Sequence, residues 1–510
     1  MIISLSVLVI TIIVSGTYAL YKTQLSKNIG VNTTTHGLAY YINYVKGTDI
    51  TAATLNPSTS YEGGASSDIE FWKKDDSYDI YGKIELTVNT IGTNLSNSPA
   101  LKYAVVNNGN VLKEGSLKGT TSGSKVTILK NLYLEQTKQI YTVYVWLDNS
   151  EELGNISNES LSISVDCTAS LQKEPTAADT IISLYTSAAK VTATNNSITY
   201  NTAPSVSLMN DRLGGTTTSL DGGNIRYYGA NPNNYIYFNC SDYSNQTSST
   251  CETWRIIGVF DGKLKLIKSE SIGAYSWDNK DTSTGAENDT GKNDWTTARL
   301  MKLLNPSNYY KVDSNDNNLG QSLYYNSASG KCYSGQNNAT VDCDFTSTGI
   351  KNAETRNMIA ETTYNLGGWN SNSVYSNQIY EYERGTTVYS GRPTTWKGKI
   401  ALAYPSDYGY AADLNQCKDK TLYDYDNRTC TSNNWMKAII TNNGSNTGWL
   451  LTPRSGSSSN AWYVNSGGFV SRDSIAYVAY GAVPVLSLSS ELGIESGGDG
   501  SSSKPYKLSA

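Results

Sequence analysis

Histidine is nearly absent from this chain of 510 residues, which contains only His36. A Ser-His-Asp or Cys-His arrangement could use only that one residue, and a zinc site with two or more histidine ligands is excluded. Because His36 lies near the N-terminus, we interpret it as a solvated surface residue. The composition therefore argues against histidine-dependent catalysis, and we predict that the protein is not an enzyme.

Charged residues are also scarce. Only 17% of the residues are charged and the net charge is −5, so nothing resembles the basic footprint of a nucleic-acid-binding protein. Polarity comes instead from Asn, Ser, Thr, Gly and 39 tyrosines, and tyrosine suits sheet faces and wet binding surfaces. With 43 glycines and 11 prolines, the composition favours a turn-rich β protein.

A long hydrophobic run opens the chain. Residues 2–14 are nearly all apolar, and the apolar stretch reaches Tyr21 before Lys22. This length is typical of a signal peptide or a short membrane anchor helix, and we predict one of these for residues 1–21, although the usual preceding basic residue is missing. The stretch SGTYALYKT resembles the signal-peptide ends of camelysin-like and biofilm-fibre proteins. That resemblance implies an extracellular or cell-surface protein, either anchored by this helix or secreted after its cleavage.

Six of the seven cysteines form three close pairs in the sequence, each bracketing a short polar loop. Hairpins bring such loop ends within disulfide reach, and an exported protein keeps these bonds oxidised. A cysteine-rich metal site is the alternative, but CxxC spacing and histidines are missing. The predicted disulfides are Cys240–Cys251, Cys332–Cys343 and Cys417–Cys430. Cys167 is left over, buried or free.

Residues 30–168 have the pattern of a β-sandwich. Residues 82–89, GKIELTVN, alternate apolar and polar side chains, as a half-buried strand does. Asn108-Gly109 separates two such runs and predicts a type I′ hairpin. Residues 139–149, QIYTVYVWLDN, are apolar on both faces like a central strand, and YTVYVWLD resembles the C-terminal half of camelysin-like surface domains. These signals predict an immunoglobulin-like sandwich that acts as a structural spacer.

Two segments show little apolar patterning. Residues 169–222 are predicted to form a polar connector with one short helix, capped by Thr176, followed by loop. Residues 492–510 are rich in Gly and Ser and predict a linker-like tail.

Residues 223–491 mix strands and helices. Asp261-Gly262 joins two strand-like runs, and later strands are predicted at GWLLTP, AWYV and AVPVLSL. In order, NNYIYFNC, CETWRIIGVF, a helix at 295–306, GWLLTPRSGSSSNAWYVNSGGFV and YGAVPVLSLSS resemble bacterial surface domains related to the formylglycine-generating-enzyme and C-type-lectin-like fold. The predicted fold class is therefore mainly β, with an immunoglobulin-like sandwich followed by an α+β part that is C-type-lectin-like.

Two departures limit what this resemblance implies. The family ends in G-V-R-P, but here the residues are Gly481-Ala482-Val483-Pro484, so any contact of that arginine is lost. The catalytic members use a cysteine pair late in the domain, whereas here no cysteine follows Cys430. An oxidase activity is therefore not transferred to this chain.

The candidate ligand-binding residues lie on or beside the last predicted hairpin, which forms the exposed ligand face in C-type-lectin-like domains. Planar polar groups and aromatic rings recognise sugars or protein epitopes by hydrogen bonds and stacking. The alternative interpretation is that about half of the aromatic residues belong to the core, because period-two alternation turns every second residue of a strand inward. The candidates are Arg454, Asn460, Trp462, Arg472, Asp473, Tyr477 and Tyr480.

No cofactor is predicted. Acidic loops at 277–295 and 313–320 offer carboxylates for structural calcium. The second loop, however, lacks the glycine and the glutamate of an EF-hand, so solvated loops are the preferred interpretation. Residues 383–399 are interpreted as a structural loop in which Arg384 or Arg392 holds neighbouring loops together.

Three functions are compatible with these patterns. The first is an exported, adhesin-like recognition protein that binds an extracellular glycan or protein, and it predicts an exposed aromatic patch near Trp462. The second is a structural matrix or fibre subunit, which predicts self-association at an open sheet edge. The third is a divergent enzyme of the formylglycine-generating-enzyme fold, which predicts a deep pocket with perturbed carboxylates. This last hypothesis is the weakest, because histidine and the cysteine pair are missing.

Overall fold

A computed structural model shows a mainly β protein with 38% of residues in strands and 15% in helices, which confirms the predicted fold class. The chain divides into two compact units, Met1–Glu174 and Pro175–Ala510. The residues that the structure describes are 23–25 (backbone), 41–51, 55–149, 151, 153–156, 158–212, 223–243, 245–279, 289–310, 320–335, 339–442 and 445–509. The predicted N-terminal signal or anchor helix and His36 lie outside them. Among the described helices, none is long and apolar enough to span a bilayer.

In its described residues the first unit contains eleven strands and one short α-helix, α1 at Thr93–Asn97. Its strands are β1 Thr23–Leu25, β2 Ile42–Val45, β3 Ile50–Thr51, β4 Pro57–Ser58, β5 Ala65–Lys73, β6 Tyr81–Ile91, β7 Leu101–Asn107, β8 Asn110–Ser116, β9 Lys125–Tyr133, β10 Ile140–Asp148 and β11 Leu161–Ser170.

These strands form a two-sheet sandwich, as the alternation predicts. One sheet has the order β1-β11-β6-β9 with β3 on β11, and the other has the order β2-β5-β10-β7-β8 with β4 on β10. Ile84, Leu86 and Val88 of β6 are fully buried, and the residues between them are half-exposed. Successive side chains point to opposite faces of a sheet, so this alternation produces one buried face and one wet face.

The tight turn in this sandwich is also as predicted. Asn108 and Gly109 connect β7 to β8 with φ values of 49° and 76°, which are the left-handed conformations of a type I′ turn. Cys167 of β11 is a free thiol and is buried in the core between the sheets.

The second unit contains twenty strands and seven α-helices in the described residues. Its strands are β12 Val191–Asn195, β13 Ile198–Ala203, β14 Leu208–Asn210, β15 Ile225–Tyr227, β16 Tyr235–Phe238, β17 Glu252–Phe260, β18 Lys263–Lys268, β19 Ala274–Ser276, β20 Ser329–Cys332, β21 Val341–Asp344, β22 Thr362–Asn365, β23 Thr395–Gly398, β24 Ile400–Ala401, β25 Gly448–Pro453, β26 Asn460–Val464, β27 Val470–Ile475, β28 Ala479–Gly481, β29 Val485–Ser487, β30 Gly493–Ile494 and β31 Leu508–Ser509. Its helices are α2 Ala177–Ser187, α3 Arg299–Leu304, α4 Ala353–Met358, α5 Ser376–Arg384, α6 Pro405–Tyr410, α7 Arg428–Ser432 and α8 Met436–Thr441.

Two larger sheets organise this unit. A nine-stranded sheet has the order β12-β13-β14-β15-β17-β18-β29-β24 with β16 on β17, and a five-stranded sheet has the order β19-β28-β25-β26-β27. The core contains the fully buried Trp254, Trp277, Trp295 and Trp449. The three predicted disulfides are confirmed.

The second unit begins at Pro175, much earlier than the predicted start at residue 223. Thr176 caps α2 as predicted, since its hydroxyl accepts from the Asp179 N–H and its own N–H donates to the Asp179 carboxylate. The segment predicted as loop instead forms β12, β13 and β14, which pair in series and continue onto β15. These strands are only three to six residues long and mix apolar with polar side chains. Runs this short show no clear apolar pattern, and backbone pairing with neighbours holds them in the sheet.

Two further expectations are corrected. The tail is not a linker, because β30 pairs with β31 and the Tyr235 N–H donates to Gly500 O at 2.8 Å, while Tyr506 and Leu508 are buried. The helix predicted from residue 295 begins only at Arg299, because the Asp294 carboxylate caps a separate turn by accepting from the Thr296 N–H at 3.1 Å.

Candidate functional site

The last hairpin carries a β-bulge that arranges the candidate residues. Ala461 pairs with Ser474 and Tyr463 pairs with Ser471, so one residue, Trp462, faces two residues of β27. A bulge of this kind redirects the side chains of the strand that carries the extra residue. As a result the consecutive residues Arg472 and Asp473 contact each other, and Arg472 Nη1 donates to Asp473 Oδ2 at 2.6 Å.

Asp473 also binds a second arginine, which completes a surface cluster. Arg454 Nη1 donates to Asp473 Oδ1 at 2.7 Å. Asn370, from a distant loop, accepts from both arginines, through its Oδ1 from Arg454 Nε and through its backbone O from Arg472 Nε, each at 2.8 Å. We call Arg454, Arg472, Asp473 and Asn370 the two-arginine cluster. Two guanidinium groups share one carboxylate in it, so the four residues together carry one excess positive charge.

A stacked aromatic pair lies beside this cluster. Trp369 stacks on Tyr382 with ring centroids 3.9 Å apart and an interplanar angle of 6°, and both side chains are half-buried. Trp369 precedes Asn370 in the chain and forms a parallel backbone bridge with Arg454. The stacked pair and the two-arginine cluster therefore form one continuous surface.

Two glycines, Gly368 and Gly456, allow the loop that carries Trp369 and Asn370 to approach the loop that carries Arg454 closely. A Cβ on Gly456 would lie 2.2 Å from Asn370 Oδ1, and a Cβ on Gly368 would lie 2.2 Å from the Pro453 carbonyl oxygen. Such separations are far inside van der Waals contact, so a larger residue at either position would push the loops apart.

The predicted exposure of Trp462 is wrong. Its side chain is fully buried and packs with Leu450, Val464 and Val470. Trp462 turns into the core from β26, whereas the bulge in β27 lets the consecutive residues Arg472 and Asp473 both lie on the outer face.

The other candidates have different surroundings. The Tyr480 ring packs on Trp449 at 4.7 Å, and the backbone oxygen of Tyr477 accepts from Ser276 Oγ. The backbone oxygen of Asn460 accepts from the Arg454 N–H at 2.9 Å, which shapes the loop that carries the cluster. The structure thus brings Arg454, Arg472 and Asp473 together, with Asn460 behind them.

Sequence reasoning missed three residues of this surface, namely Trp369, Asn370 and Tyr382. They belong to a loop and to α5, at least 70 residues before Arg454. No local pattern links these segments, because only the tertiary fold places them side by side. Arg392, by contrast, ties loops as predicted, since it donates to the Ser458 carbonyl oxygen at 2.9 Å and to Asn293 Oδ1 at 3.2 Å.

Two carboxyl groups have strongly perturbed pKa values, and both are enclosed in the fold. Burial raises the pKa of Glu383 to about 7 and that of Asp278 to about 6. Glu383 accepts from the N–H and the hydroxyl of Ser406, and Asp278 accepts from the N–H groups of Lys292 and Arg299. Both carboxyl groups therefore hold a neighbouring backbone segment in place by hydrogen bonds.

The part of the chain that the structure describes contains no group of three or more His, Cys, Asp or Glu side chains placed to hold a metal ion. Most of the two acidic loops considered for calcium, at 280–288 and 313–319, lies outside the described residues.

The chain matches no protein-family model and no curated protein. Among solved structures it is similar to a crystal structure of an HCR/D mutant, with 12% identity over 51% of this chain and 76% of that chain and a TM-score of 0.15. It is also similar to the receptor-binding domain of a botulinum neurotoxin of mosaic serotype C/D, with 12% identity over 52% of this chain and 75% of that chain and a TM-score of 0.15. At this level the likeness supports no conclusion about the ligand or the relatives of this chain.

Proposed function

We propose that this chain is an exported recognition protein whose second unit binds an acidic glycan or an acidic protein epitope, without catalysing a reaction. The observation that supports the proposal is one surface with an excess guanidinium charge next to a stacked aromatic pair. The protein would be anchored by the N-terminal hydrophobic segment or secreted after its cleavage.

The chemistry of the surface suits a ligand with an anionic group and an apolar face. A guanidinium group binds a carboxylate or sulfate through paired N–H donors, and an aromatic ring system offers area for stacking against a sugar ring or a planar side chain. Asp473 orients both arginines, and its side chain, 49% exposed, can accept from a ligand hydroxyl. In this arrangement the arginines supply affinity for the anion and Asp473 supplies selectivity.

Export agrees with the cysteine chemistry. The three disulfides are consistent with an extracellular protein, because such bonds persist in oxidising compartments.

The proposal is tested by binding of the full chain to an array of neutral and acidic glycans and mucins, with and without calcium chelation. We expect binding to acidic members that weakens at high salt, because exposed charges are screened over about 8 Å at 0.15 M ionic strength. Arg454→Ala with Arg472→Ala, and separately Trp369→Ala, should each abolish the signal.

Arg428→Ala removes an exposed arginine elsewhere in the same unit and serves as the matched control, which should bind normally. Binding that survives loss of both arginines and of Trp369 would place the ligand elsewhere, and loss of binding on chelation would add a structural calcium ion to the proposal.

A second candidate function, a matrix or fibre subunit, is favoured by one edge strand. In the described residues β8 ends the second sheet of the sandwich, and it exposes Val111 and Leu112 by 42% and 39%. An apolar open edge is a template for pairing with another chain. If the protein assembles, analytical ultracentrifugation should show large species that Val111→Lys with Leu112→Lys disperses, whereas Val341→Lys on β21, also exposed, should leave them intact.

A further inference from the structure

A cluster of charged side chains is enclosed in the second unit, remote in the chain from the hairpin described above. Arg226 Nε donates to Asp211 Oδ2 at 2.5 Å, and Arg226 Nη1 donates to Asp407 Oδ1 at 3.0 Å. Lys265 Nζ contacts the other oxygen of the same carboxylate, Asp407 Oδ2. The exposed fractions of the Lys265 and Asp407 side chains are 7% and 1%, so the contact is closed to bulk water.

The fold fixes the two partners rigidly. Lys265 lies on β18, which is paired on both sides, with β17 and with β29. Asp407 lies in the first turn of α6, where its Oδ2 accepts from the Tyr404 N–H at 3.0 Å as part of a capping box. The two residues are 142 positions apart in the chain, so their contact is a product of the tertiary structure.

Aromatic rings surround the lysine. The Nζ atom lies 5.0 Å from the centroid of Phe260 and 4.6 Å from that of Tyr404. Burial lowers the pKa of Lys265, with the charge of Asp407 acting against this shift. A desolvated lysine of this kind is a nucleophile, because its neutral amine form becomes accessible.

The carboxylate is held as an acyl acceptor would be. Arg226 Nη1 binds one oxygen, and the Tyr404 N–H binds the other. Donors fixed on a carboxyl oxygen stabilise the negative charge that develops there when a nucleophile attacks the carbon. Burial raises the pKa of Asp407, but the charges of Lys265 and Arg226 outweigh burial and hold that pKa below its ordinary value.

The charge balance of the cluster is kept when this ion pair is lost. Lys265 and Asp407 carry opposite charges, so removing both leaves the net charge unchanged and Arg226 still paired with Asp211. Desolvated charges are costly even when they are paired, whereas an amide is neutral and keeps Oδ1 as the acceptor for Arg226 Nη1.

We propose that Lys265 and Asp407 form an intramolecular isopeptide bond in the folded protein. One proton moves from the Lys265 ammonium group to Asp407 Oδ2, which leaves a neutral amine beside a carboxylic acid. The lone pair of Nζ then attacks Cγ of Asp407, the N–C bond forms and the Cγ–Oδ2 bond breaks. Two of the three protons of the ammonium group leave with Oδ2 as one water molecule, and the third stays on the amide nitrogen. Arg226 Nη1 holds Oδ1 throughout, and no oxidant, metal or external acyl donor is consumed. This cross-link is independent of the ligand-binding proposal.

The experiment is peptide mapping of the purified full chain by mass spectrometry after reduction, alkylation and trypsin digestion. We expect one branched peptide in which residues 264–268 and 400–418 are joined, lighter than their sum by one water, with no cleavage after Lys265. Recovery of a free 400–418 peptide with cleavage after Lys265, from protein that shows a cooperative thermal unfolding transition, would overturn the proposal.

Three variants sharpen the result. Asp407→Asn should give the same branched peptide, now formed with loss of ammonia, which an ordinary ion pair does not predict. Lys265→Arg retains the positive charge but cannot form this amide, so it should yield the free 400–418 peptide. Lys263→Arg, two residues away on the same strand, is the matched control and should retain the branch. A branch in Lys265→Arg would assign the cross-link to another residue and overturn the proposal.

Discussion

Glu383 is the residue through which pH acts most directly on the second unit. It lies on α5, next to Tyr382 of the stacked pair, and its carboxylate accepts a hydrogen bond from the Ser406 N–H at the start of α6. Because burial raises its pKa from 4.5 to about 7, the folded protein binds a proton at Glu383 in the pH range where the unfolded chain has released it.

We predict that the free energy of unfolding falls as pH rises through this window. From pH 4.5 to pH 7 the native state holds more protons than the unfolded state at this site, so stability decreases with pH, by a total on the order of 3 kcal/mol. Asp278 contributes in the same direction, since its pKa is raised to about 6. Glu383→Gln should flatten this slope in denaturant titrations between pH 5 and pH 8, and Glu381→Gln, exposed on the same helix, should keep it. Equal slopes in the wild type and Glu383→Gln would contradict the assignment.

At the same scale, residue type alone did not reveal which tryptophan lies at the surface. The sequence offered Trp462, within a motif of polar and aromatic residues, and the structure buries it completely. The half-exposed Trp369 has no such motif around it. Exposure depends on the face of a strand and on what covers it, and neither property belongs to a residue by itself.

Trp462 lies on the hairpin β26–β27 and Trp369 lies outside it, and we expect the two side chains to contribute differently to stability. We predict that Trp462→Ala lowers the free energy of unfolding by about 3–5 kcal/mol, because it leaves a large cavity in the core. Trp369→Ala should lower it by less, because this half-buried side chain leaves no enclosed cavity and its stacking on Tyr382 adds only about 1 kcal/mol beyond the area that it buries. Urea titrations of both variants against the wild type measure this difference, and similar losses in the two variants would mean that Trp369 is also a core residue.

The hairpin β20–β21 is closed by Cys332–Cys343 at a separation of 11 residues. A cross-link over so short a loop restricts the unfolded chain modestly, and we predict that Cys332→Ser with Cys343→Ser lowers the free energy of unfolding by roughly 2–3 kcal/mol. Reduction of the wild-type protein should lower stability further, because it opens the other two disulfides as well. A double variant as stable as the wild type would show that this bond does not constrain the unfolded chain.

For the whole molecule, the division into two units has a thermodynamic consequence. In the described residues the core of the sandwich and the main core of the second unit share no residue. Units with separate cores unfold as separate cooperative transitions, so calorimetry of the full chain should resolve two.

Ile163→Ala in β11 and Leu486→Ala in β29 each truncate a fully buried side chain. Each should lower the stability of its own unit by about 2–5 kcal/mol and shift one transition only. A single transition that both variants shift together would show that the two units fold as one.

The sequence by itself determined the local features. The Asn108-Gly109 turn, the three disulfides, the Thr176 cap and the alternation of β6 were all predicted, because each depends on residues close together in the chain. Tertiary structure decided the rest. It buries Trp462, pairs β12–β14 in one sheet and pairs β30 with β31 in the tail. It also brings Asn370 within hydrogen-bond distance of Arg454 and Arg472. The physical reason is that short-range geometry is set by the conformational preferences of neighbouring residues. Burial and long-range hydrogen bonding depend instead on which distant segment supplies the partner.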